Sequence, residues 1–291
     1  MVHRQRWRST VSGVRGVCVR VIDSDNYAAS GIETFFFPGG EPHCKVPLYD
    51  EPALLYLKLR TWDDVGFAAC VLNVMSVRPD TKVFIPYFPA ARQDKNDDHT
   101  PAMLPMMARL LVSHAYVRPF VFDPHSPATT LFTNARLFGL QDLRGAVAHP
   151  YVGVIAPDKG AITRADAFRR AKVPDSRLIV CEKSRQFDNG NLLTFKMPAL
   201  QEVGRYIIVD DICDGGATFN MVAEAFKNDP IGRLSSLELI VSHGIFSRGL
   251  QNIHPKIEHI TTTDSWCRLK PTPRLTVIPL LPNLQERIVN A

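Results

Sequence analysis

Residues 205–219 read Arg-Tyr-Ile-Ile-Val-Asp-Asp-Ile-Cys-Asp-Gly-Gly-Ala-Thr-Phe, and this stretch decides the fold. Tyr206 to Val209 is a short apolar run of strand type, and Phe219, Val222 and Phe226 then recur at helical spacing. A strand, a glycine-bearing loop and an amphipathic helix in succession form the repeating unit of an α/β sheet. Ligands of such sheets sit beyond the carboxyl ends of the strands. The loop chemistry narrows the ligand. Gly215 and Gly216 permit positive φ and close backbone approach. The amides of Gly216 to Thr218 open a helix N-terminus toward an anion, and Thr218 adds a hydroxyl or caps the helix. Asp210 and Asp211 repel phosphate, but they suit sugar hydroxyls or a cation that accompanies phosphate. Phosphate at one end and carboxylates at the other read as a ribose-phosphate site. A plain polar turn closed by glycine needs far fewer residues than Asp-Asp-x-x-Asp-Gly-Gly-x-Thr.

Strands and helices alternate on both sides of this stretch. Strands are expected at 16–22, 33–37, 54–60, 82–87, 118–122, 152–156, 178–181, 192–197, 236–241, 258–263 and 275–278. Helices are expected at 65–77, 101–114 and 161–172. Thr100-Pro101 has the chemistry of an N-cap followed by a first helical position. Met103, Met106, Met107, Leu110 and Leu111 form the apolar face of that helix, most simply a core stripe. Alternation of this kind predicts mainly parallel sheets flanked by helices. The seam between two domains is expected in the polar stretch 139–150, giving domains over 1–145 and 146–291.

The chain has 291 residues, 45% hydrophobic and 22% charged, enough for two ordinary domains. No apolar run reaches the ~18 residues that span a bilayer. The basic first ten residues lack the apolar segment of a secretory signal. Six cysteines at 18, 44, 70, 181, 213 and 267 form no close pair, so neither a disulfide framework nor a zinc site is suggested. A cytoplasmic protein is expected. A net charge of +5 without a basic tract suits phosphorylated small molecules at least as well as nucleic acid. No Gly-x-x-x-x-Gly-Lys-Ser/Thr loop occurs, which argues against a Walker-type ATPase.

Three further segments carry chemistry. Arg92-Gln93-Asp94-Lys95-x-Asp97 offers a planar fork and a point charge for anions. It follows Ile85-Pro86-Tyr87-Phe88-Pro89-Ala90-Ala91, which is too apolar for an ordinary surface loop. His125, in Asp123-x-His125, and Asp158 each end a strand. Together they suit Mg²⁺ or nucleotide contact, although a lone histidine is often a hydrogen-bonded core residue. Lys183-x-Arg185 puts two cations on a polar loop expected to be mobile. Such charges serve phosphoryl-type transfer, and the competing reading is a solvated basic loop.

Taken together and in order, these segments resemble the ribose-phosphate pyrophosphokinases. The resemblance rests on Phe37-Pro38-Gly39-Gly40-Glu41, residues 85–95, Asp123-Pro124-His125, Pro157-Asp158-Lys159-Gly160, Lys183-Ser184-Arg185, Asp210 to Thr218 and Ser242 to Ser247. It implies two tandem domains like the type I phosphoribosyltransferases. The implied reaction is attack of the anomeric hydroxyl of ribose 5-phosphate on the β-phosphorus of ATP, with AMP leaving. By the same resemblance, Phe37 and Glu41 come from a neighbouring subunit of a dimer or hexamer. Arg92, Gln93, Asp97 and His125 contact ATP, and His125 and Asp158 help hold Mg²⁺. Lys183 and Arg185, with His125, act at the transition state. Asp210 and Asp211 hold the ribose hydroxyls, and Asp214, Gly215, Gly216, Ala217 and Thr218 hold the 5-phosphate.

The chain departs from the family pattern in places. Gly39 stands where the family has an aspartate associated with adenine recognition. Gly-Gly-Ala replaces Thr-x-Gly in the phosphate loop, and an open glycine pair there suits a larger 5-substituted ribose such as ADP-ribose. Two other readings share residues 206–219: a phosphoribosyltransferase, and a non-catalytic regulatory homologue. Neither needs both the Arg92-Gln93 loop and Lys183 with Arg185. RNA binding would call for a basic face with aromatics, which is not visible.

Overall fold

The computed structural model describes residues 10–12, 18–78, 80–97, 99–112, 118–147, 149–185, 192–266 and 269–291. The side chains of residues 10–12, 18, 184–185 and 192–194 lie outside that description. So do the parts of the expected elements at 16–17 and 113–114 and the loop residues 186–190. The chain divides into two compact units, Met1–Phe138 with Leu281–Ala291, and Gly139–Leu280.

The first unit holds strands β1 (Thr10–Ser12), β2 (Cys18–Asp23), β3 (Glu33–Phe36), β4 (Pro42–Lys45), β5 (Ala53–Tyr56), β6 (Thr81–Ile85), β7 (Phe120–Phe122) and β8 (Arg136–Phe138). Its sheet runs β1-β2-β5-β6-β7-β8, parallel except at the β1 edge. β3 and β4 leave this sheet as a separate antiparallel hairpin. Helix α1 (Trp62–Met75) overlaps the expected helix at 65–77 but starts three residues earlier, at the Thr61 cap. Thr61 caps it, and Asp64 returns the bond to the Thr61 amide at 2.9 Å. Val65, Ala68, Val71, Leu72 and Met75 face the core. Helix α2 (Leu104–Val112) starts three residues later than predicted. Thr100 is not its cap, because the Thr100 hydroxyl donates to Asp97 at 2.6 Å. Its methionine stripe is split: Met107 is buried with Leu104 and Leu111, while Met106 and Leu110 are exposed. A short α3 (Ala128–Thr133) follows β7.

The second unit holds β9 (Gly153–Ala156), β10 (Arg177–Val180), β11 (Glu182–Arg185), β12 (Leu192–Lys196), β13 (Arg205–Cys213), β14 (Ser236–Gly244), β15 (Ile257–Thr263) and β16 (Leu275–Ile278). Its six-stranded sheet, β10-β9-β13-β14-β15-β16, is parallel throughout. Helices α4 (Ile162–Lys172), α5 (Ala217–Asn228) and α6 (Pro230–Arg233) belong to this unit, and α7 (Leu280–Val289) ends with the first. The α5 face is Phe219, Val222, Ala223 and Phe226, all buried, as the 3.6-residue period requires. The predicted strand at 206–209 is longer than its apolar run. Pairing with β14 continues through Asp210 to Cys213 opposite Gly244, so the acidic residues lie on the strand and not in a loop. Lys183 also differs from expectation. It sits on β11, paired with Phe195 of β12, so a hairpin arm and not a free loop carries it.

Candidate active site

In the second unit, the carboxyl end of β13 presents Asp210 and Asp211 side by side. Each carboxylate is fixed by a backbone amide, Asp210 Oδ1 by Asp211 N at 2.9 Å and Asp211 Oδ1 by Ile212 N at 2.8 Å. Burial, and then the charge of Asp211, push the Asp210 carboxyl well above the ordinary carboxylate range. Arg164 on α4 opposes this, with Nη1 3.6 Å from Asp210 Oδ1 and Nη2 3.5 Å from Asp211 Oδ2.

The loop between β13 and α5 turns at Gly216, whose φ of 82° is left-handed. Gly215 does not share that conformation, so only one of the two glycines needs its conformational freedom. No side chain caps α5, and its first-turn amides open from Gly216 onward. The glycine pair is not open space. A Cβ on Gly216 would fall inside contact distance of Ile253 Cδ1, and one on Gly215 would lie 3.3 Å from Arg248 Cδ and Nε. Both covering residues come from the segment after β14. That segment is tied down by the Ile245 and Phe246 amides, which donate to Cys213 O at 2.9 and 3.0 Å.

Thr218, in the first turn of α5, receives a long hydrogen bond from Lys183 Nζ at 3.5 Å, and the same ammonium lies 3.3 Å from Asp158 Oδ2. Asp158 caps the short turn just beyond β9, and its Oδ1 accepts from Gly160 N at 3.0 Å. Three residues predicted from separate segments, Asp158, Lys183 and Thr218, thus meet at one point. The Arg185 side chain is outside the described residues. Ser242 and His243 are buried beneath the site. Thr263 Oγ1 donates to Ser242 O at 2.6 Å, and His243 Nδ1 pairs with Ser265 Oγ at 2.8 Å.

In the first unit, Phe37 and Glu41 close the tip of the β3–β4 hairpin. The Phe37 amide donates to Glu41 O at 3.0 Å, and Gly40 turns the chain at φ 91°. Phe36 and Phe37 are about half exposed. The hairpin rests on α1 because Gly66 has no side chain; a Cβ there would meet Pro42 Cγ at 2.5 Å. At Gly39 a Cβ would meet the Glu41 carboxylate at 2.6 Å, so Glu41 lies back over the position where an aspartate would stand.

The Arg92–Asp97 loop is organised from within. Asp97 accepts from the Thr100 hydroxyl at 2.6 Å and from the Thr100 and His99 amides at 2.7 and 2.9 Å, and these bonds hold its carboxyl below the usual range. The Gln93 amide donates to Ala90 O at 2.8 Å, and Gln93 O accepts from Leu104 N at 3.1 Å. Phe88 and Ala91 are buried beneath it, which explains the apolar run that precedes the charges. Ser126 Oγ donates to Asp94 Oδ2 at 2.6 Å, joining this loop to the segment bearing His125. His125 is exposed and follows Asp123, which is left-handed at φ 38°. Sequence reasoning missed Arg164, Ser126 and Arg248. Only Arg164 left a usable trace, a cation six residues beyond Asp158 in a predicted first helical turn.

Among the described residues no trio of His, Cys, Asp or Glu forms a ready-made metal cage. None of their helices is long and apolar enough to cross a membrane.

No family model matches the chain. It is 30% identical over 225 residues to the ribose-phosphate pyrophosphokinase of Granulibacter bethesdensis, covering 70% of this chain and 69% of that one. It is 28% identical over 233 residues to the enzyme of that name from Hyphomonas neptunium, covering 75% and 72%. Among solved structures, phosphoribosylpyrophosphate synthetase from Mycobacterium smegmatis superposes with a TM-score of 0.69 at 16% identity, over 94% of this chain and 98% of that one.

Proposed function

The chain belongs to the ribose-phosphate pyrophosphokinase family, enzymes of phosphoribosyl diphosphate synthesis, and on that premise we propose that it moves the diphosphoryl group of ATP to the anomeric hydroxyl of ribose 5-phosphate, releasing AMP. One observation carries this reading: Lys183, Asp158 and Thr218 converge at the mouth of a phosphate-type helix N-terminus that the Asp210–Asp211 pair flanks. Asp210 and Asp211 accept hydrogen bonds from the ribose hydroxyls. Residues 214–218, through the open amides of α5 and the Thr218 hydroxyl, hold the 5-phosphate. Lys183 supplies positive charge where charge grows on the transferred group, with Arg185 beside it in sequence. Arg92, Gln93, Asp97 and His125 bind the nucleotide. The internal bonds of Asp97 indicate that it shapes this loop as well. Catalysis of this type is positioning plus charge neutralisation, with no covalent work by the protein.

The residues present fit Mg²⁺. The ion takes one or two carboxylates and completes its shell with water and substrate phosphates, so the single Asp158 carboxylate just beyond β9 suits it better than a closed cage would. Asp158 is the residue of the second unit that would hold it. Bound there, it would neutralise phosphate charge and orient the transferred group. The exposed aromatic tip at Phe36–Phe37 supports a homo-oligomer, dimer or hexamer, in which Phe37 and Glu41 complete a neighbour's nucleotide site.

A second acceptor reading rests on Arg248. Its exposed side chain lies on Gly215, and its guanidinium has no ion pair among the described residues. A cation beside the 5-phosphate loop favours an acceptor with a second phosphate on its 5-substituent, such as ADP-ribose. The test is AMP release from ATP and Mg²⁺ with each acceptor in parallel. AMP with ribose 5-phosphate supports the first reading. Preference for ADP-ribose, lost in Arg248→Ala, supports the second. AMP with neither acceptor refutes both and favours a non-catalytic homologue.

A further inference from the structure

We propose that Arg164 is a positioning residue that counters the mutual repulsion of the Asp210–Asp211 pair and aligns it to receive both sugar hydroxyls. The inference deepens the proposed function and rests on its assignment of that pair to the ribose. The geometry is unusual for an arginine between carboxylates. A charge-assisted hydrogen bond closes to about 2.7–2.9 Å. Here the two guanidinium nitrogens stand 3.6 and 3.5 Å from one oxygen of each aspartate, straddling the pair. The side chains are deeply placed, 14% exposed for Arg164, 16% for Asp210 and 6% for Asp211. At that separation the fork lowers the energy of two adjacent negative charges without closing a tight bond on either. Asp210 Oδ1 accepts from the Asp211 amide, and the Asp210 carboxyl also lies within hydrogen-bonding reach of the Asp211 side chain, so the two carboxyls act as one unit facing the fork.

Arg164 is anchored for this task. It lies in the first turn of α4, whose Ala165 and Phe168 are fully buried, and α4 follows directly on the Asp158 turn. One short segment therefore sets both Asp158 and the fork. Other charges near Asp210 do not replace it. On its own strand are Asp211 and the buried Cys213 thiol, the latter pushed up to about 12 by burial and by Asp214 and Asp210. Across the ladder on β14, Val241 stands opposite Asp210 and His243 opposite Ile212, with the His243 ring engaged by Ser265. Arg164 lies against the pair and opposes the burial and like charge that push the Asp210 carboxyl up.

The experiment compares wild type, Arg164→Ala, Arg164→Lys and Asp210→Asn across pH 5–9. In ligand-free protein labelled at aspartate carboxyl carbons, Arg164→Ala moves the Asp210 titration up by about one unit or more, and Arg164→Lys moves it less. Asp210→Asn identifies the resonance. In the kinetic arm, Arg164→Ala raises the KM for ribose 5-phosphate about tenfold near pH 7, a defect that shrinks at higher pH, with the KM for ATP unchanged. Arg164→Lys recovers most of the pH limb. An unshifted Asp210 titration in Arg164→Ala overturns the proposal, as does a KM defect that is flat with pH. If wild type does not bind ribose 5-phosphate, the acceptor assignment fails, while the ligand-free titration still decides the role of Arg164.

Discussion

Gly215 and Gly216 are neighbours with the same side chain, yet the structure gives them different burdens. Gly216→Ala meets two costs. Its backbone sits at φ 82°, where an L-residue loses about 1–2 kcal/mol. Its new methyl also runs into Ile253 Cδ1, and overpacking of that kind costs about 1–3 kcal/mol. The sum is about 2–5 kcal/mol. Gly215→Ala has neither burden, since φ is ordinary and the nearest atoms belong to the exposed, flexible Arg248 side chain at 3.3 Å. Its expected cost is within about 0.5 kcal/mol. Ile253→Val removes the offending Cδ1 and alone costs about 0.5–1.5 kcal/mol. The double variant Gly216→Ala/Ile253→Val should therefore recover at least about 1 kcal/mol relative to the sum of the singles, a coupling that a double-mutant cycle reads directly. Urea unfolding followed by circular dichroism, with ribose 5-phosphate affinity measured alongside, is the assay. Equal losses in the two glycine variants, or strict additivity in the cycle, would refute the account of this loop.

Asp210→Asn should stabilise the ligand-free protein in a pH-dependent way. The folded carboxyl titrates above its unfolded value, so native stability falls as pH rises from about 4 toward the folded value. The asparagine variant should gain on wild type through that window by about 1–3 kcal/mol and show no gain below it, read from thermal melts at several pH values. Lys183→Ala should lower turnover about 10²–10³-fold while ribose 5-phosphate affinity stays within about threefold, and full activity would dismiss the Lys183 assignment. Ser126→Ala cuts the 2.6 Å tie between Asp94 and the His125 segment, so the KM for ATP should rise severalfold with little effect on the KM for the sugar. Thr61→Ala removes a reciprocal cap and should cost about 1 kcal/mol of stability, with catalysis intact.

Much of this was legible from periodicity and turn chemistry alone. The alternation of apolar runs and 3.6-residue patterns gave the parallel sheets. The run from Asp210 to Thr218 could be read because its residue types are costly anywhere but at a phosphate-and-hydroxyl site. The boundaries were less legible, because polar residues can continue a ladder when a neighbouring strand pairs with them, as Asp210 to Cys213 do against β14. The Lys183 segment reads as a loop because nothing local announces that Phe195 lies opposite it. Thr100-Pro101 has the local chemistry of a helix cap, but here Asp97 accepts from the His99 and Thr100 amides and from the Thr100 hydroxyl, and only the position of Asp97 decides between the two uses.

The sequence by itself determined the fold class, the family resemblance and the roster of charged loops, since these depend on side-chain order along one chain. The tertiary structure alone decided which of those charges face one another. Arg164 is 46 residues from Asp210, Lys183 is 35 from Thr218, and Ile253 is 37 from Gly216. The Arg164 and Ile253 contacts follow from parallel strands that carry their carboxyl ends to one edge of a sheet, and the Lys183 contact from the antiparallel hairpin that leaves β10; strand order is set by packing over the whole unit, which no local pattern encodes.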